Sequence, residues 1–598
     1  MGKETNSPQK KTELDPILVS VLANRLDGIV REMSNTLLRA ARSTVIATAR
    51  DFSCAIVTGN NELLAVAEGL PVHTFGAHLQ CEAMTRLHPD ISDGDAYIHN
   101  DPYLGNTHAA DQTILIPVFV EGEHLFTACA KAHQADIGNS IPTTYHAAAK
   151  DVYEEGAIIF PCMKLQSKRQ MVQDVVRLGM TRIRVPEQWY GDLLAALGAA
   201  RVAEKRLKEL CKKYSAATIK AFIDDWFNYS ERMAIQAIKM LPGTVVEAEG
   251  RHDPMPPFLN EPVPIRVKVG IDSKEGLITV DLRDNVDCLP CGLNQSEACA
   301  INNALTGVFN CIDPDIPHNA GSFRRLNVLL RVGSAVGKLK HPYSSSMATT
   351  NIADRIVSTT QSAFAKLGYG YGLSEGSNAF GAQLGVVSGN DFRHGGAPYV
   401  NQIFLNAGSG PASPVADGWV TFGAPIVGGL LYRDSIELDE IKQPLLVDHM
   451  RLVTDSGGAG YRRGAPGVDV AYGPRQGAMT VIFATDNTET PPKGVHGGAD
   501  GALASNYLIA RDGTQKTLPS FCNLELKDGE KVRSIESTAG GYGDPKKREP
   551  DRVFLDVLNR TVSIDGAKRI YGVALIGSIE KETLCLDLDE TNRLRSIQ

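Results

Sequence analysis

"DQTILIPVFVEGEHLFTACAKAH", Asp111 to His133, is the stretch on which the reading of the fold turns. Two apolar runs flank Glu121-Gly122-Glu123. The runs suit a pleated sheet, and a central glycine suits a three-residue hairpin loop. The segment therefore reads as a β-hairpin. With Gly122 at its centre, residues equally far from it oppose one another, so Asp111 faces His133. Opposed side chains of an antiparallel pair stand about 5 Å apart at Cβ. Pro117 lies inside the first run, and proline has no N–H for a ladder, so that strand is expected at a sheet edge or bulged.

Just upstream, "HNDPYLGNTHAA" places His108 three residues before Asp111 among turn residues. Residues three apart on a strand point to opposite faces, so His108 joins the pair only from a bent loop. Two imidazoles and a carboxylate are a ligand set for Zn, Mn or Fe(II), and three protein ligands leave positions open for water or substrate. The competing reading is polar loop residues that bond locally. Eight of the 14 histidines fall between His73 and His146, which again marks this region.

Outward from the hairpin, residues 17–41 read as a helix with Leu22, Leu26, Ile29, Met33 and Leu37 on one stripe. "DFSCAIVTGNNELLAVA" reads as strand, turn, strand, and "DAYIHNDPY" continues in strand. Residues 188–240 carry helix formers until "LPGT" stops them. Beyond residue 242, "VPIRVKVGI", "GLITVDLR", "RLNVLLRV", "AMTVIFAT" and "ASNYLIA" are short strand candidates among Gly-rich loops, and "DRVFLDVLNR" reads as a last helix. The fold class is α+β and multi-domain, with mixed or antiparallel sheets and a long central helical segment. The expected divisions are a flexible N-terminal tail (1–16), an α+β part holding the candidate site (17–186), a helical segment (187–242), a β-rich part (243–545) and a C-terminal extension (546–598).

The chain has 598 residues, 43% hydrophobic and 22% charged, with 61 basic and 69 acidic side chains for a net charge of −8. That composition is ordinary for a globular protein, and the sign argues against nucleic acid or an anionic membrane as the main partner. No apolar run approaches the length of a membrane span, and the polar start "MGKETNSPQKKTE" lacks the core of a signal peptide, so the expected location is cytoplasmic. Eleven scattered cysteines fit free thiols.

Other motifs are weaker. "CLPC", Cys288 and Cys291, has half-zinc-site spacing, but only Cys299 and Cys311 follow; buried thiols are the simpler account. "DSGGAGYRRG" could cradle an anion beside Arg462 and Arg463, yet it is neither a Walker nor a Rossmann motif. No nucleophile elbow stands out.

Taken in order, "ARDFSCAIV", "GLPVH", "HNDPYLGNTHAADQTILIPVF", "KAHQADIG", "DVYEEG", "GDLLAAL", "DSGGAGYRRGAPGV" and "GGYGDPKKREPDRVFLDV" resemble the successive blocks of the hydantoinase B/oxoprolinase family. The resemblance implies the B-type subunit of an ATP-dependent hydantoinase or oxoprolinase, or the large subunit of a biotin-independent ketone carboxylase of the acetone or acetophenone kind. It implies an A-type partner that binds ATP and Mg, with small extra subunits in the carboxylases, and no biotin. It implies a divalent metal held by His108, Asp111 and His133, with Asp51 of the "RDFS" block as a fourth ligand. His146 and His73 become candidate acid/base or supporting residues, because imidazole titrates near neutral pH. Asp101, Asp136, Arg462 and Arg463 become candidate substrate or phosphate contacts. Two departures, "STAGGYGDP" at Ser537–Pro545 and "CGLN" at Cys291–Asn294, lean the expectation towards a ketone carboxylase acting through an enol phosphate and carboxyphosphate, with a cyclic amide hydrolase as the alternative.

Overall fold

The computed structural model describes residues 14–66, 69–378, 380–420 and 422–596. Most of the expected N-terminal tail, residues 1–13, lies outside that set. Leu14 is already tied down, its backbone N–H donating to Asp225 (2.8 Å).

The chain is a multi-domain α+β protein with mostly antiparallel sheets. The first sheet has seven strands: β1 (Phe52–Thr58), β2 (Leu63–Val66), β3 (Ala96–His99), β4 (Asp111–Val120), β5 (Glu123–His133), β6 (Met163–Ser167) and β7 (Gln170–Met171), in the order β2-β1-β5-β4-β3-β6-β7. Even-numbered residues of β4 and β5, among them Ile114, Ile116, Ala128 and Ala130, face helix α2 (Pro186–Tyr214), and helix α1 (Pro16–Ala40) packs on α2 and over β1 and β2. The odd-numbered face carries Leu115 and Cys129 under the helix Ala77–Leu87. The sheet is buried on both sides, which is why its strands read as continuous apolar runs rather than alternating ones. In α1 the buried stripe is Leu22, Leu26, Ile29, Val30, Met33 and Leu37, each contributing roughly 1.5–3 kcal/mol of apolar burial.

The hairpin differs from expectation in its turn and reaches the same register. The turn is the two-residue Glu121–Gly122, with Val120 opposite Glu123. Both turn residues have positive φ (52° and 85°), the conformation that matches strand twist. Phe119 then pairs with His124 and Val118 with Phe126, so Leu125 is the extra residue of a β-bulge. The bulge cancels the shorter turn, and Asp111 stands opposite His133. The expectation of an edge strand is corrected: β4 lies between β5 and β3. Pro117 is accommodated because β3 pairs with β4 only as far as Leu115.

The central helical segment is two helices rather than one. α2 ends at Tyr214 and α3 (Ala216–Lys239) begins after Ser215, whose φ of 70° breaks the helix and whose hydroxyl accepts from Thr218 N–H. β8 (Thr244–His252), β9 (Val263–Asp272), β10 (Leu277–Asp281) and β11 (Leu326–Leu329) form a second sheet in the order β11-β10-β9-β8. Two helices pack on it, α4 (Glu297–Phe309) and α5 (Ile352–Ala365). Farther on, a four-stranded and a five-stranded antiparallel sheet enclose a core that includes Val387, Val481, Phe483, Val470 and Val532. The Gly-rich "DSGGAGYRRG" and "STAGGYGDP" segments lie against each other. A Cβ on Gly464 would fall 2.2 Å from the Ala539 carbonyl, so these glycines permit backbone-to-backbone packing.

Candidate metal centre

The antiparallel ladder builds the centre. β5 pairs with β1 so that Phe52 faces Ala132, and the His133 N–H donates to the Asp51 carbonyl (3.0 Å). Asp51, His133 and Asp111 therefore lie in one row across adjacent strands, on the odd-numbered face. His108 arrives from the loop before β4. Asn106 holds that loop, donating through Nδ2 to the His108 carbonyl (2.7 Å) and the Asp111 carbonyl (2.9 Å). His73 arrives from the one-turn helix Pro71–Thr74.

Three donor atoms converge. His108 Nε2 lies 3.0 Å from Asp111 Oδ1 and 3.3 Å from His133 Nδ1, and His133 Nδ1 lies 3.1 Å from Asp111 Oδ1. His73 Nε2 is 3.3 Å from Asp111 Oδ2 and 3.6 Å from Asp51 Oδ1. Asp111, His108 and His133 are at most 1% exposed. The outer ring nitrogens are engaged elsewhere: His108 Nδ1–H donates to the Ser346 carbonyl (2.8 Å), and His133 Nε2 meets the Thr144 hydroxyl (3.1 Å). This leaves the inner nitrogens and a carboxylate oxygen facing one another with lone pairs, an arrangement that asks for a shared cation. The donor set thus fits a divalent transition metal. Among the described residues, His108, Asp111 and His133 are the group able to hold one.

The electrostatics agree with that reading. Burial opposes charge on Asp111, but the imidazoles of His108 and His73 outweigh it and hold the carboxyl well below its usual range. Burial likewise opposes charge on His108, but Asp111 overrides it and the imidazole is raised. Burial raises the Asp51 carboxyl. Tyr145 stacks on His133 with ring centroids 5.0 Å apart.

The cluster opens on a cavity of about 40 Å³, lined also by Tyr145, Thr349, Asp354, Phe380, Val427 and Leu431. That is room for water, and far below the roughly 300–1,000 Å³ of a ligand pocket, so a larger ligand would require the apolar wall to part.

The structure brings together five of the residues singled out in the sequence: His108, Asp111, His133, Asp51 and His73. It places the others elsewhere. His146 is next to Tyr145 in sequence but does not line the cavity, and its backbone N–H donates to Ser346 Oγ (2.9 Å). Asp101 caps the turn Pro102–Leu104, accepting from Tyr103 N–H. Asp136 pairs with Arg184 (2.9 Å). Arg463 pairs with Asp556 (3.3 Å), and Arg462 packs over the Tyr461 ring (4.4 Å). Asp101, Asp136 and Arg463 are thus engaged by structural partners away from the cavity, whereas His146 Nδ1 and Arg462 Nε are buried without a hydrogen-bond partner among the described residues. Cys288 and Cys291 are buried free thiols, in a turn tied by the Asn294 side chain. Sequence reasoning missed Ser346, Thr144 and Asp354. Thr144 lies 11 residues after His133 within the histidine-rich region and reads as a loop residue, whereas nothing near Ser346 or Asp354 in sequence ties them to the histidines.

The profile of the hydantoinase B/oxoprolinase family matches residues 15–545. The chain belongs to this family. It is 30% identical to caprolactamase subunit beta of Pseudomonas jessenii, over 94% of this chain and 97% of that one. It is 24% identical to the acetophenone carboxylase delta subunit of Aromatoleum aromaticum, over 98% and 89%. The crystal structure of ATP-dependent caprolactamase from Pseudomonas jessenii superposes with a TM-score of 0.87 at 27% identity, over 98% of this chain and 100% of that one. No described helix is long and apolar enough to cross a membrane.

Proposed function

We propose that this family member is the metal-bearing subunit of an ATP-dependent enzyme that opens a cyclic amide. One observation carries the reading: a buried His/Asp/His cluster on a closed cavity, in a chain that matches an ATP-dependent caprolactamase structure from end to end. His108, Asp111, His133 and Asp51 would hold a Zn, Mn or Fe ion, which when bound polarises an oxygen and makes water more acidic. His73 stands between the Asp111 and Asp51 carboxylates, its Nε2–H facing both, with its other nitrogen 3.2 Å from the Ser53 hydroxyl, so it would orient the two carboxylates. Tyr145 and Thr144 fix the His133 ring. Burial excludes bulk water, so an activated carbonyl meets one positioned nucleophile. ATP and Mg come from a partner subunit of the A type.

The test is co-expression with that partner. ATP-dependent ring opening of a lactam, abolished by His108→Ala with the assembly intact, supports the reading; full turnover by the metal-free variant refutes it. Ketone carboxylation is the second reading, supported by the likeness to the acetophenone carboxylase subunit. A requirement for bicarbonate separates the two.

A further inference from the structure

The cavity has two chemistries. One wall is Asp51, His73, Asp111 and His133; the other is largely hydrocarbon, with Val72, Phe380, Ile426, Val427 and Leu431. Among the described residues that line it there is no Lys or Arg. Asp354, at the start of α5, lines the cavity as well, buried, and accepts the Ile426 N–H (3.2 Å).

We infer that the substrate is an uncharged ring, its reacting carbonyl turned to the His/Asp wall and its hydrocarbon to Val72, Phe380, Ile426, Val427 and Leu431, and that a ring bearing a carboxylate is rejected. The inference rests on the cyclic-amide reading above and narrows it. An entering carboxylate would lose its water and find no guanidinium or ammonium to replace it, which is costly in a buried site. Asp51 and Asp111 together offset the charge of a divalent ion, so a loaded centre keeps no surplus to draw another anion. Asp354 completes the match. Burial pushes its carboxyl up to about 8, so at neutral pH it is an uncharged group that donates and accepts. That is the pattern a neutral amide presents. The hydrocarbon wall then takes the methylenes of the ring, at roughly 25 cal/mol per Å² of apolar surface buried.

The test is isothermal titration of the full-length, Mn-loaded chain with two probes, ε-caprolactam and 5-oxoproline, which differ in their charge. The uncharged lactam should bind on the order of 30-fold more tightly, since specificity here comes from an unpaired buried charge on the competitor. Leu431→Lys, at a half-buried position, should narrow that gap by about tenfold. Equal or tighter binding of 5-oxoproline by the wild-type chain overturns the inference, and so does binding of neither probe. The two readings fail separately. Acetophenone consumed with bicarbonate, with no lactam opened, sinks the cyclic-amide reading and leaves an uncharged ligand in place. ATP-dependent opening of 5-oxoproline in preference to caprolactam keeps that reading and sinks this one.

Discussion

Asp111→Asn removes one charge from the centre with little change of shape. Asp111 Oδ1 faces His108 and His133 at 3.0 and 3.1 Å; Oδ2 faces His73 at 3.3 Å and accepts from the Thr107 hydroxyl. Without metal, this carboxylate is the counter-charge that keeps His108 raised against its burial. Removing one member of a buried charged pair costs about 3–5 kcal/mol. The lower end applies here, because an imidazole can shed its proton. For a cooperative unit of 150–250 residues each kcal/mol moves Tm by about 2–4 °C, so the first transition of the metal-free variant should fall by about 6–12 °C. Metal at a hundred times its Kd should stabilise the wild type by about 2.7 kcal/mol, a rise of about 5–11 °C. The variant should show no such rise. Scanning calorimetry with and without EDTA, alongside elemental analysis, reads both quantities. If Zn or Mn raises the variant's Tm as much as the wild type's, Asp111 is not a ligand and the geometry has been misread.

The pH dependence of the metal-free chain follows from two shifts of opposite sign. His108 is raised above 6.5, so its stabilisation is complete below that value and lost as pH rises through the higher folded pKa; Asp111 is held well below 3.8, so its share is complete above that value and lost as pH falls through the depressed one. Tm should plateau between these limits, and a Tm still climbing above pH 8 would contradict the argument. Asn106→Ala strips the donor from two buried carbonyls that shape the His108 loop, which should cost about 2–4 kcal/mol and weaken metal retention about 10–100-fold in a chelator competition. Unchanged retention would show that the loop keeps its shape without Asn106. Gly179→Ala places a Cβ 2.1 Å from the Trp189 ring, whose indole N–H is held by Gln112 (2.7 Å); urea unfolding should show about 1–3 kcal/mol of lost stability, and a variant as stable as the wild type would refute the packing.

Much of the first sheet and the row of donors was legible because the signal is local. Asp111 and His133 belong to one hairpin, and their opposition needs only a register. That register was reached through an incorrect turn: a two-residue loop and a bulge at Leu125 together displace the chain as a three-residue loop would. A bulge of this kind has no residue signature in "GEHLFT". The break at Ser215 was hidden because serine between good helix formers reads as helix. α5 was invisible for the opposite reason. Half of its fourteen residues are polar, among them Asp354, Arg355, Thr359 and Gln361, so it reads as a surface segment, yet thirteen of the fourteen are buried. The clamps on the donors lie at the far limit of inference. Ser346 reaches His108 across 238 residues, and only the packed second sheet brings them together.

That last contact sets an order of events. All the donor atoms are encoded before residue 134, yet the carbonyl that turns His108 inward belongs to Ser346. A nascent chain that has left the ribosome through the first sheet carries every ligand but not the group that aims one of them. The proposed site is therefore complete only once the segment that carries Ser346 has packed against the first sheet, which couples its donor geometry to the late stages of folding.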